Sequence, residues 1–162
     1  MGILRSSKKI AAVIGVLLMV AFLGACGILG DTPRSSLGEY NKSVFFTSGE
    51  FRDYTDYGKY YYTSAKVEEN KYFKKIQEND LAEINEHIDD FERWVEALGN
   101  GDASDEVAAN YDFDRTIIDT EDYIYIESER HTWSDGDTTL ENYDVYFLDV
   151  QTQVLYFFHS NT

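Results

Sequence analysis

Two runs near the C-terminus decide the fold: Asn142-Tyr143-Asp144-Val145-Tyr146-Phe147-Leu148-Asp149-Val150 and Val154-Leu155-Tyr156-Phe157-Phe158-His159. The first sets Tyr143, Val145 and Phe147 against Tyr146, Leu148 and Val150. The second sets Val154, Tyr156 and Phe158 against Leu155 and Phe157. A side-chain period of two is that of an extended strand, and Gln151-Thr152 leaves room for a short reversal between them. Upstream, Asp122–Glu129 alternates Tyr123, Tyr125 and Glu127 against Ile124 and Ile126, and Ser134-Asp135-Gly136-Asp137 supplies a turn signal. Phe113–Ile118 is a candidate further strand. The expectation is an antiparallel meander of three or four strands.

Ahead of the meander the period lengthens. Leu81, Ile84, Ile88, Phe91, Val95 and Leu98 recur at three- and four-residue steps, which puts them on one face of a helix. Asp80 and Glu83 give it a box-like start, and Gly99-Asn100-Gly101 a stop. His87 and Trp94 flank the stripe, at the rim of the core or the edge of a pocket. An earlier helix is read from Thr47, where Thr47 and Glu50 have capping-box spacing and Phe51, Tyr54, Gly58, Tyr61 and Ala65 follow at helical steps, with Tyr57, Tyr60 and Tyr62 beyond the stripe. The fold class is therefore α+β, two helices followed by the meander. The strands are apolar or aromatic on both sides, whereas a sheet with one wet face alternates apolar with polar. Two arrangements fit: both faces covered, or one face presenting tyrosine and phenylalanine as a binding surface.

The start of the chain is of another kind. Arg5, Lys8 and Lys9 precede an uncharged stretch from Ile10 to Ala25, the pattern of a secretory signal. It ends in Leu23-Gly24-Ala25-Cys26, which resembles a bacterial lipobox. The resemblance implies that Cys26 takes a diacylglyceryl group and becomes the mature N-terminus on the outer side of the cell membrane. An uncleaved anchor is the competing reading, since Ile10–Gly30 is long enough to span a bilayer. The opening Met1-Gly2-Ile3-Leu4-Arg5-Ser6 also fits a loose myristoylation pattern, which a span placed so soon after it argues against. By this reading residues 1–25 are signal, 26–38 a lipidated and flexible tether reaching at most about 40 Å, and 39–162 one acidic globular domain. The run Phe45–Tyr62 and the pattern Asp80–Val95 resemble small uncharacterised lipoproteins of Gram-positive bacteria, a resemblance that carries no activity.

The 162 residues hold 30 acids against 14 bases, and removing the three bases of the leader takes the net charge from −16 to −19. No nucleic acid is expected as a partner, because no Lys/Arg excess exists to displace phosphate counterions. A cationic peptide, a protein or a cell-wall component suits the charge, and the membrane is expected to be met through the lipid on Cys26. Cys26 is the only cysteine, so neither an internal disulfide nor a second thiol exists. No phosphate loop or nucleophile elbow occurs, and no cofactor is expected. His87, His131 and His159 match no zinc spacing; His131 and His159 would meet only on neighbouring strands. Asp135-Gly136-Asp137 and the cluster Asp112, Asp114, Asp119, Glu121 and Asp122 are fragments of calcium-loop chemistry or solvated turns. Spacing alone does not single out a carboxylate pair for glycoside hydrolysis. The candidate binding residues are Tyr54, Tyr57, Tyr61, Trp94, Tyr123 and Tyr125, because ring faces stack on sugars while acids accept hydroxyl hydrogens. The expected function is a lipid-anchored extracytoplasmic binding module. An accessory or sensor subunit of a membrane complex and a carboxylate-dependent envelope hydrolase are the alternatives.

Overall fold

The computed structural model describes residues 32–50, 53–101 and 105–161, so Cys26 and the leader lie outside the described residues. Its elements are α1 Pro33–Ser36, β1 Tyr40–Glu50, β2 Asp53–Tyr62, β3 Lys74–Lys75, α2 Leu81–Gly101, α3 Glu106–Asn110, β4 Tyr123–Thr132, β5 Thr138–Asp149 and β6 Val154–Asn161. The strands form one six-stranded sheet in the order β1-β2-β6-β5-β4-β3, antiparallel throughout. The mixed helix and strand content is the α+β class expected, with more strands than the three or four read from the sequence. Among the described residues, no helix is long and apolar enough to cross a membrane.

The meander β4-β5-β6 forms where the alternation places it. Gly136 takes φ +93° in the β4–β5 turn, a conformation that suits glycine. Asp149 closes the β5–β6 reversal by accepting from the backbone N–H of Gln151 and of Thr152.

The helix read from Thr47 to Ala65 does not exist. That stretch is the β1–β2 hairpin and its exit, with Phe51 outside the described residues. Thr47 and Glu50 pair with Asp56 and Asp53 across the hairpin instead of capping a helix. The cause lies in the tyrosines. Aromatic residues at five of the nine positions from Tyr54 to Tyr62 satisfy a three/four step and a two-residue step alike, and they favour strands. Pairing of β2 with β6 settles the matter, because it sends Tyr57 to one face and Tyr60 to the other and buries both. Phe113–Ile118 is not a strand either. Asp114 accepts from the Thr116 N–H at 3.0 Å and its hydroxyl at 2.7 Å, which bends the chain into a 3-10 turn at Arg115–Ile117.

α2 runs as read but passes Gly99 to end at Gly101. It lays Ile84, Ile88 and Phe91 on one face of the sheet, against Tyr57, Val145, Phe147 and Phe158. Phe91 stands edge-on to Phe158 at 5.3 Å between ring centroids. His87 is fully enclosed there; its Nδ1–H donates to the Glu83 carbonyl at 2.8 Å and its ring stands edge-on to Tyr143. It belongs to the core rather than to a pocket edge. A half-buried link joins the loop after α3 to the same face. Tyr57 donates its hydroxyl to Asp112 Oδ1 at 2.7 Å, and Lys59 holds the other oxygen of that carboxylate.

Among the described residues, the opposite face is covered over one half. Leu37, fully buried, joins Tyr60, Tyr62, Phe73, Leu148 and Leu155 in a second cluster. Residues from Thr32, read from composition as the end of a flexible tether, are in fact part of this packing. Thr32 and Ser35 form a capping box that starts α1, and the Lys66 N–H donates to the Leu37 carbonyl. Asn70 clamps the 63–73 loop to this segment: its amide donates to Lys66 O and Ser36 Oγ, and its Oδ1 accepts from Tyr72 N–H. Both arrangements offered for this face are therefore realised, each over half of it.

Candidate functional site

The strand register arranges the second face in rows. The first row is Tyr123, Leu148, Leu155, Tyr60 and Ser43, all under the cover except the exposed Ser43. The next row, read across β4-β5-β6-β2-β1, is Tyr125, Tyr146, Phe157, Gly58 and Phe45. The third is Glu127, Asp144, His159, Asp56 and Thr47. An aromatic row thus runs beside a row of carboxylates centred on an imidazole, at the spacing of two strand residues, about 7 Å. The aromatic row borders the cover: Tyr125, Tyr146 and Phe157 pack against the second cluster, with the Tyr125 ring 5.4 Å from that of Tyr72 and 6.4 Å from that of Phe73. Phe45 is 48% exposed, and Tyr146, Phe157, Tyr54 and His159 are half-buried.

Gly58 makes the aromatic row continuous. A Cβ there would lie 3.1 Å from Phe45 Cδ2 and 3.2 Å from Tyr60 Cε2. With hydrogen in its place, Phe45 reaches across β2 and stacks on Phe157 at 6.3 Å and 16° between ring planes. Tyr146 meets Phe157 at 4.7 Å, and Tyr125 meets Tyr146 at 6.0 Å. Burial, and then the bond that Tyr125 donates to Glu127 at 3.0 Å, raise the Tyr125 phenol above its usual range.

In the third row the His159 Nδ1–H donates to Asp144 Oδ1 at 2.6 Å. His159 Nε2 and Asp56 Oδ1, on neighbouring strands, are both buried without a hydrogen-bond partner. Tyr54 covers His159 at 4.7 Å between centroids. A carboxylate oxygen without a donor makes this end of the face complementary to a donor, and so to a cation. An open cleft of about 200 Å3 adjoins it, edged by Glu127, Glu129, Asp144 and His159.

At the other end of the aromatic row lies a cleft of about 180 Å3 lined by Thr32, Arg34, Phe45, Tyr60, Tyr146 and Phe157. No carboxylate lines it.

The six tyrosine and tryptophan candidates do not come together. Tyr54 sits on the open half-face, and Tyr125 at its margin, in ring contact with Tyr72 and Phe73 of the cover. Tyr123 is on the same face but under the cover, with the second cluster. Tyr57, with no exposed surface, is core on the helix face. Tyr61 is also on the helix side, with Lys42 Nζ 5.3 Å from its ring centroid. Trp94 lies at the edge of a separate cleft of about 330 Å3 between α2 and β5. Cys26 is outside the described residues. Arg34, Phe45, Tyr146, Phe157, Asp144 and His159 were not singled out. The signal for four of them was present, since Tyr146 and Phe157 share a parity with Asp144 and His159 once the β5–β6 reversal is fixed.

Among the described residues, no group of three His, Cys, Asp or Glu is placed to hold a metal ion. β5 lies between His131 on β4 and His159 on β6, so the two do not meet. The acidic cluster after α3 is engaged locally: Asp112 with Tyr57 and Lys59, Asp114 with Thr116, Glu121 with Lys75, and Asp122 with the Val150 N–H. Comparison with known proteins gives no match: no family model, no curated protein and no solved structure is similar to the chain.

Proposed function

We propose that the chain is a lipid-anchored extracytoplasmic binding module, held at the membrane through Cys26, with the open half-face of its sheet as the working surface. The observation that carries this is the aromatic row, half-exposed at the margin of the second cluster with Phe45 48% exposed, beside the Glu127–Asp144–His159–Asp56 row. Apolar faces of this kind on a monomer mark binding sites. Rings next to carboxylates favour a partner carrying ammonium or guanidinium groups, which the ring faces attract and the carboxylates accept from. The anchor rests on Leu23-Gly24-Ala25-Cys26 and the basic, then uncharged, leader before it.

Two arms test the two halves of the reading. Membrane fractionation of Cys26→Ala should release the protein from the membrane; a variant that stays wholly membrane-bound refutes lipid anchoring in favour of an uncleaved helix. Titration of the full chain, in neutral detergent, with a lysine-rich peptide should give binding that weakens with salt. In Asp56→Asn/Asp144→Asn it should fall by about 10-fold or more, as expected for lost bonds to charged groups. Binding undiminished by those substitutions refutes the half-face as the working surface.

A further inference from the structure

Every other described arginine is held by carboxylates: Arg93 by Asp90, Arg115 by Asp89 and Glu92, Arg130 by Glu86. Arg34 has no carboxylate partner among the described residues, in a chain with 30 acids for 14 bases. It is nevertheless held in place. Its Nη1 donates to the Tyr60 hydroxyl at 3.0 Å, and its guanidinium stands 4.8 Å from the Tyr60 ring centroid and 5.9 Å from that of Tyr40. It is fixed on the wall of the cleft that carries no carboxylate, with Phe45, Tyr146 and Phe157 as the apolar walls.

The hydrogen-bonding inventory gives this cleft a sign. A guanidinium offers five N–H donors and no acceptor. The Tyr60 oxygen already accepts from Arg34, so its own proton is free to be donated. Donors from Arg34 and Tyr60 meet on this wall, and the ligand must supply acceptors.

We propose that this cleft binds a carboxylate carried on a flat apolar body, with the carboxylate on Arg34 and Tyr60 and the body against Phe45, Tyr146 and Phe157. The proposal deepens the reading of the half-face as a binding surface and rests on it. A carboxylate is favoured over phosphate on two grounds. Its two coplanar oxygens match the guanidinium fork, and a single negative charge meets less repulsion from a chain of net charge −16 than a dianion does. A cleft of about 180 Å3 takes one ring or one side chain rather than an extended ligand.

The test is calorimetric titration of the full chain, in neutral detergent, with phenylacetate, its neutral analogue phenylacetamide and inorganic phosphate. Phenylacetate should bind about 10- to 100-fold more tightly than phenylacetamide, the range of a hydrogen bond to a charged group. Arg34→Gln should bring the two ligands level, and Tyr60→Phe should narrow the gap while leaving Arg34 charged. Thermal unfolding of each variant checks that the fold survives, and Arg34→Lys, which keeps the charge without the fork, replaces Arg34→Gln where it does not, and should narrow the gap. Equal binding of both ligands to the unaltered chain overturns the carboxylate proposal but leaves the binding surface standing. A preference that survives the Arg34 substitution, or phosphate binding as tight as phenylacetate, overturns it too. So does the absence of any binding, in which case the half-face is judged by the lysine-peptide arm alone.

Discussion

Tyr57→Phe isolates the bond between the sheet and the loop after α3. The ring has no exposed surface and keeps all its neighbours on substitution, at centroid distances of 5.1 Å from Tyr111, 5.8 Å from Phe158 and 6.4 Å from Phe91. No cavity opens, so any loss of stability comes from the hydroxyl. That hydroxyl donates to Asp112, and a bond to a charged group is worth about 1.5–3 kcal/mol. The Asp112 side chain is 58% exposed, so water replaces the lost donor and screens the charge. The expected cost is accordingly about 1–1.5 kcal/mol near neutral pH. Burial works to raise the Asp112 carboxyl, but the Lys59 ammonium and the Tyr57 hydroxyl outweigh it and hold the group below its ordinary range. A carboxylate depressed in this way stabilises the fold above its unfolded pKa, and the contribution is lost as pH falls through the folded one. The gap between Tyr57→Phe and the unaltered protein should therefore be full at about pH 7 and shrink below about pH 4. Urea unfolding followed by far-ultraviolet circular dichroism measures both. A variant within about 0.3 kcal/mol of the parent at neutral pH, or a gap that does not change on acidification, would refute the reasoning.

Asp122 should show the opposite trend. It is buried, accepts from the Val150 N–H at 3.0 Å, and burial raises its carboxyl above the usual range. A raised carboxyl favours folding below the unfolded pKa and loses that advantage as pH rises through the folded one. Asp122→Asn should therefore cost about 1–3 kcal/mol at acid pH and less at neutral pH by urea titration, and a cost that grows with pH would contradict this. Phe91→Ala removes a fully buried ring between α2 and the sheet and should cost about 3–5 kcal/mol in the same assay. Asn70→Ala should loosen the cover alone. Native-state hydrogen exchange is expected to speed up by about 5- to 30-fold at Lys66 and Phe73, the equivalent of about 1–2 kcal/mol, with α2 amides unchanged.

The elements with one dominant period were legible in the sequence. α2 and the β4-β5-β6 meander stand where Ile84, Ile88 and Phe91, and Val145, Phe147 and Phe158, place them. Where aromatic residues crowd a run, as at five of the nine positions from Tyr54 to Tyr62, the pattern fits two periods, and only pairing with β6 chooses between them. β3, two residues long, carries no periodic signal at all. The working face was half visible. That the strands were apolar on both sides was plain, but which residues share a row depends on register, and register depends on reversals whose length composition leaves open. Arg34 was not legible, since its meaning comes from what does not surround it. The tether was misjudged for a related reason. Pro33, Ser35 and Ser36 read as linker, yet Thr32 and Ser35 cap a turn that delivers Leu37 to the core.

The segment Thr32–Gly38 is both the route from the N-terminus into the domain and the lid over half of the sheet. Tension applied from the N-terminal side enters the fold there. It acts first on the Leu37 side chain and on the Asn70 clamp, not on the strand ladder behind them. Were the domain held from its N-terminal side, as proposed, this segment would be a mechanical fuse in series with that attachment. Pulling it open would uncover Tyr60, Tyr62 and Leu155, and in the same stroke carry Arg34 away from Phe45 and Phe157. Load and ligand at that cleft would then oppose one another, so that occupancy stiffens the attachment and stretching empties the cleft.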